Sequence, residues 1–172
     1  SLDLQMRKIL MNKDMYNYQM LKKYFADTVA RAKGIVDERY VAPVERGIAK
    51  FDEIISMMVK QLQEGKFLAL VANATPMQQA MFPPIVAWLH LWSLTITLPK
   101  SRELLGDAKG ADRKKILETN PEAAYYNGRV LSAQFFIGAE FPKFFGRVEC
   151  VMNNEGAAIK VESENFTGAL KE

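Results

Sequence analysis

Few side chains in this sequence have the type and spacing to do chemistry. His90 is its one histidine and Cys150 its one cysteine. A di-iron bundle needs a Glu-x-x-His on each of two helices, and a zinc site needs several nitrogen or sulfur ligands. One of each, in separate segments, supplies neither. His90 therefore reads as a core or groove histidine. Cys150, in the apolar phase near Val148 and Val151, reads as packing. Glu38, Glu45, Asp52 and Glu53 flank an apolar seam and are most simply its solvent face. Glu140 and Glu149 lie close to a phenylalanine-rich face and are candidates for the interior, but no base or nucleophile stands at a recognisable spacing from them. Gly128, Gly138, Gly146 and Gly156 fall singly, so they form no phosphate-cradling loop; close helix packing is the expected role for some of them. Trp88, Trp92, Tyr125, Tyr126, Phe135 and Phe136 have the bulk to line a flavin or acyl pocket, although core packing is the simpler reading. No catalytic residue and no metal ligand emerges.

The composition narrows the class further. The chain has 172 residues, 49% hydrophobic and 25% charged, as expected of one globular domain. Its net charge of +3 is small, and the one cationic cluster, "DAKGADRKK", carries two aspartates of its own. That is a solvated loop or helix face, not a nucleic-acid surface. A lone cysteine forms no internal disulfide, which points to a reducing compartment and a cytoplasmic location. The first residues lack the charged and apolar regions of a secretory signal. The most apolar stretch, "MFPPIVAWLHLWSLTITLP", is punctuated by Pro83, Pro84 and Pro99. Only about 14 residues remain between the prolines, the length of a buried core helix rather than a membrane span.

The elements that must position these residues are helical. Leu2, Met6, Ile9 and Leu10 already share one helical face, with no capping run before them. Asn12 to Asp14 can interrupt this segment, which then continues with Tyr18, Leu21, Phe25 and Val29 inward and ends at Gly34. A second helix spans about Asp37 to Glu64, closed by Gly65. In it Val44, Ile48, Phe51, Ile55, Met58 and Leu62 form a heptad seam. Thr75 to Pro84 reads as a connection, with Pro83 and Pro84 at the start of a third helix that runs to about Leu105 and kinks at Pro99. "GDAKGADRKK" reads as a mobile loop. Asn120 caps a fourth helix with Pro121 at its first position, carrying Tyr126, Val130, Phe135, Phe136, Phe144, Phe145, Val148 and Met152. Pro142 should bend that helix without stopping it. The tail "NEGAAIKVESENFTG" reads as one apolar turn and a docking strap. The expected fold is all-α, an antiparallel up-and-down bundle of about four long helices.

Three stretches carry a family resemblance. "SLDLQMRKI" resembles the segment that follows the catalytic loop of acyl-CoA dehydrogenases, in the branch with an added C-terminal domain. There the segment runs roughly "YEGTNGIQALDLLGRK", with Leu and Gly where this chain has Gln5 and Met6. "AAYYNGRVLSAQFFIGAEFPKFF" resembles the helix of the form "FYxxKLATARFFxxRVLPE", including Pro142. "NEGAAIKVESENF" is similar to the terminal "AGADxLMALxEEAF". Order and spacing agree from Ser1 to about Phe166.

The resemblance implies a C-terminal piece of an acyl-CoA dehydrogenase-like flavoprotein, similar to methylthiopropanoyl-CoA dehydrogenases. Residues 1–11 would be the end of the last helix of the dehydrogenase core, and 12–172 the added helical domain. The whole enzyme would use FAD to oxidise an acyl-CoA thioester to the 2,3-enoyl-CoA and pass electrons to an electron-transfer flavoprotein. In such enzymes a glutamate removes the α-proton while the flavin takes a hydride from the β-carbon. That glutamate belongs to the "YEGT" loop, upstream of Ser1, so no catalytic role carries over to a residue here. This chain would bind no FAD by itself and serve a structural or oligomerisation role. The alternative is a stand-alone helical interaction module, pairing through its heptad seam or its phenylalanine-rich face.

Overall fold

The computed structural model describes residues 14–167. The apolar face of Leu2 to Leu10, and the division at residues 1–11, lie outside the described residues. Helix α1 covers Tyr16–Ala32 and α2 covers Glu38–Gln63. A short α3 at Phe67–Ala72 leads to α4, Ala74–Leu105, the longest helix described. Next come α5 at Gly110–Thr119 and α6 at Pro121–Phe135. A π-helical turn, Phe136–Glu140, precedes α7 at Lys143–Met152. A 3₁₀ turn at Ala157–Ile159 and α8 at Glu164–Thr167 complete the order. Among the described residues there is no strand, only an isolated bridge between Lys33 and Val36. The fold is all-α.

α4 is the central helix, packing against α1, α2, α6 and α7. Cross-contacts fix the directions. Tyr18 meets Asp52 and Lys33 meets Glu45, so α1 and α2 are antiparallel. Ser93 meets Arg129 and His90 meets Phe136, so α4 and α6 are antiparallel too. The expected seam of α2 faces inward: Val44, Phe51, Ile55 and Met58 are buried, with Ile48 and Leu62 packed against them. Each fully buried side chain of this size contributes about 1.5–3 kcal/mol. Tyr18, Phe25 and Val29 of α1 join the same core. α1 begins after two residues in the left-handed region, Asp14 and Met15; the rest of the interruption expected at Asn12 to Asp14 lies outside the described residues. Gly34, with φ +89°, ends it as expected.

Three segments depart from the sequence reading. Thr75 to Pro84 is not a connection: α4 starts at Ala74 and runs through Pro83 and Pro84. Each of these prolines removes one backbone donor, so the carbonyl four residues back loses its helical partner. For Pro83 that carbonyl belongs to Gln79, and Arg147 of α7 donates to it at 3.2 Å. Burial of Met77, Ala80, Met81 and Pro84 holds this part of the helix in place. "GDAKGADRKK" is mostly helix α5 rather than loop; its charges form an exposed face, with Lys114 and Glu118 paired at 3.7 Å. Pro142 does more than bend the fourth helix. The preceding turn widens, with Phe141 N–H donating to the Phe136 carbonyl at 2.8 Å, and α7 starts anew at Lys143. That arrangement turns Ile137, Phe141 and Phe144 inward, while Phe135 and Met152 are exposed.

Candidate functional site

Each candidate from the sequence now has a place. His90 is half-buried on α4, its ring 4.8 Å from that of Phe136. Burial, and then the nearby Arg129 charge, push its pKa below the usual histidine range. Cys150 is exposed, not packed, because Val148 and Val151 take the inward positions of α7 and leave it on the outer side. Glu149 is exposed as well, and Glu140 pairs with Lys143 at 2.8 Å at the surface, so neither is interior. Of the four glycines considered for close packing, Gly128 and Gly146 face open space, and Gly138 and Gly156 have only ordinary contacts. The glycine the fold requires is Gly47 of α2, where an added Cβ would overlap the ring of Phe141. An isolated glycine inside an apolar seam was its only sequence signal.

Glu38, Glu45 and Glu53 are exposed as expected; Asp52 is not simply a solvent-face carboxylate. Its Oδ1 accepts from the Tyr18 hydroxyl at 2.5 Å and from Lys22 Nζ at 2.9 Å. Burial alone would raise the Asp52 carboxyl, but these two donors outweigh it and hold the group below its ordinary value. Tyr18 moves the other way: burial, and then the Asp52 partner, raise its hydroxyl far above the ordinary tyrosine range. The cluster borders a groove of about 450 Å³ between α1 and α2, floored by Phe25, Val29 and Ile48. A protonated tyrosine donating to an ionised aspartate locks two helices together. Held ionised below its ordinary value, the Asp52 carboxylate is a weak base.

The aromatic residues divide. Trp88 is half-buried, donating to Thr28 Oγ1 at 2.8 Å and meeting the Phe25 ring edge-on at 5.2 Å. Trp92 and Tyr125 are at the surface, where they line a cleft of about 450 Å³ between α4 and α6 with Ile96, Tyr126 and Arg129. So the group splits between core and cleft rather than forming one enclosed pocket. Among the described residues no cluster of His, Cys, Asp and Glu can hold a metal ion. FAD needs backbone donors for its pyrophosphate and an enclosing cover for its ring. The described residues do not fit it: Gly34, Gly65, Gly106 and Gly110 occupy separate helix ends, and the α4–α6 cleft is open.

Neither a curated protein nor a solved structure matches the chain. A family model described as acetyl-CoA dehydrogenase C-terminal like does match, over residues 21–162. That span takes in all of α2 to α7 and most of α1, including the Gly47–Phe141 contact and the Asn120 cap. The chain belongs to the acetyl-CoA dehydrogenase C-terminal like family.

Proposed function

We propose that this chain is the C-terminal helical domain of an FAD-dependent dehydrogenase that oxidises an acyl-CoA thioester to the 2,3-enoyl-CoA. Within that enzyme its role is structural: it docks against the rest of the dehydrogenase and takes part in oligomerisation. The observation that carries this reading is the family match across residues 21–162. The lowered pKa of Asp52 agrees with it, since a general base works best with a pKa near the operating pH. On this reading the base for the α-proton and the FAD site belong to the upstream part of the enzyme, supported by the resemblance of "SLDLQMRKI" to the segment after the catalytic loop. That resemblance also favours the branch that includes methylthiopropanoyl-CoA dehydrogenases. An electron-transfer flavoprotein would be the electron acceptor.

The test is anaerobic titration of the longer gene product with acyl-CoA thioesters of different chain length and branching. Bleaching of its flavin absorbance by one of them supports the reading. Changing the "YEGT" glutamate to glutamine should abolish the bleaching while leaving flavin bound. A gene product that carries no flavin would point instead to a helical interaction module.

A further inference from the structure

The outer side of α4 shows an unusual chemical pattern. From Ala74 to Pro99 the sequence has no Asp, Glu, Lys or Arg, although much of this stretch reaches the surface. A solvated helix face ordinarily carries charge. Here the outer positions are Phe82, Leu89, Trp92 and Ile96, exposed by 48%, 43%, 44% and 50%. Their steps of seven, three and four are those of a helix-pairing seam. The expected seams on α2 and the fourth helix are largely consumed within the core, whereas this one is bare. α4 is also long and apolar enough to cross a membrane by length and composition, but its opposite side is committed to the bundle core.

We propose that this face joins two copies of the chain, with the α4 helices antiparallel across a two-fold axis at Leu89. The proposal rests on the oligomerisation role above and names its surface. In an antiparallel pairing centred on Leu89, that residue meets its own symmetry mate and Phe82 lies opposite Ile96. Phe82 of the second copy then enters the cleft formed by Trp92, Ile96, Tyr125 and Arg129, an aromatic knob in a pocket with a cation at its wall. Two observations favour a second copy over a charged partner. A two-fold contact sets the stripe against its own copy, so a stripe of one charge would repel itself, and this stripe is uncharged. The area is of the right order: with large apolar side chains at about 150–250 Å² each, the exposed parts of the four stripe residues and Tyr125 come to roughly 500 Å². A stable interface uses about 800 Å² per partner, so these residues would form more than half of one side.

Sedimentation velocity on the full chain, from micromolar to millimolar, reads the association directly. A reversible dimer is expected. Leu89→Glu sets two carboxylates at the axis and should weaken dimerisation at least ~100-fold, with helicity by circular dichroism unchanged. Phe67→Glu, on exposed α3, should leave it unaltered. Geometry has its own readout in a Cys150→Ser background with copper phenanthroline as oxidant. Leu89→Cys should cross-link to itself, and Phe82→Cys should link to Ile96→Cys when the two variants are mixed, but not to itself. A dimer that survives Leu89→Glu overturns this face while leaving the oligomerisation role standing. A monomer at every concentration overturns both, leaving the dehydrogenase core to cover the stripe.

Discussion

Arg147 of α7 donates from Nη1 to the carbonyl of Gln79 in α4, at 3.2 Å. That carbonyl is the one Pro83 leaves without a helical partner. A side chain from a distant segment thus repairs the defect that a proline makes inside the longest helix described. The pair should therefore be coupled. Arg147→Met should cost about 1 kcal/mol in the natural background, and only a few tenths when Pro83→Ala restores the N–H. Urea denaturation of the two single variants and the double variant measures it; equal costs in both backgrounds would refute the coupling.

Gly47 and Phe141 make a second pair. Within a helix, Gly→Ala ordinarily stabilises by up to about 1 kcal/mol. At Gly47 the sign should reverse, with a loss of about 1–3 kcal/mol, because the new Cβ overlaps the Phe141 ring. Gly146, which faces open space in α7, should show the ordinary gain. Thermal melts of Gly47→Ala, Gly146→Ala and Gly47→Ala with Phe141→Leu separate the cases. The smaller leucine should recover part of the loss.

The Tyr18–Asp52–Lys22 cluster sets two limbs of the pH profile. The Asp52 carboxyl is lowered in the fold, so its contribution is complete above the ordinary carboxylate pKa and disappears as pH falls through the folded value. The Tyr18 hydroxyl is raised, so its contribution is complete below the ordinary tyrosine pKa and disappears as pH rises beyond it. Asp52→Asn should flatten the acid limb, and Tyr18→Phe the alkaline limb. Denaturation midpoints across the pH range would show it, and unchanged limbs would count against the cluster.

Asn120 caps α6 by accepting from the N–H groups of Glu122 and Ala123, at 3.0 and 3.1 Å. Asn120→Ala should cost about 1 kcal/mol, and Asn120→Asp should retain most of the stability. Equal losses in the two variants would mean that the cap contributes little.

Asn120 with Pro121 was legible because capping chemistry is local, as was Gly34 at the end of α1. The seam from Val44 to Met58 was legible because its period alone decides which face is buried. Pro83 misled for a physical reason: the carbonyl it frees, that of Gln79, is met by Arg147, 68 residues further along the chain, and no local pattern reports that. "GDAKGADRKK" reads as loop by charge and glycine content, yet an exposed helix needs only backbone bonds and a few pairings such as Arg113 with Asn127 at 2.6 Å. Cys150 was misplaced because nearness in sequence is not a shared face: two residues on from the buried Val148, it lies on the far side of α7. The α4 stripe looked like part of a buried helix, since composition does not show which side of a helix is covered.

The central claim is that the dehydrogenase chemistry lies outside this domain. Flavin content settles it most directly: add excess FAD to this purified chain and to the longer gene product, remove the unbound cofactor, and measure flavin per chain by absorbance. The account predicts about one flavin per chain in the longer protein, as expected when one protomer holds one cofactor, and none retained by this chain alone. Stoichiometric flavin on the isolated chain would contradict it.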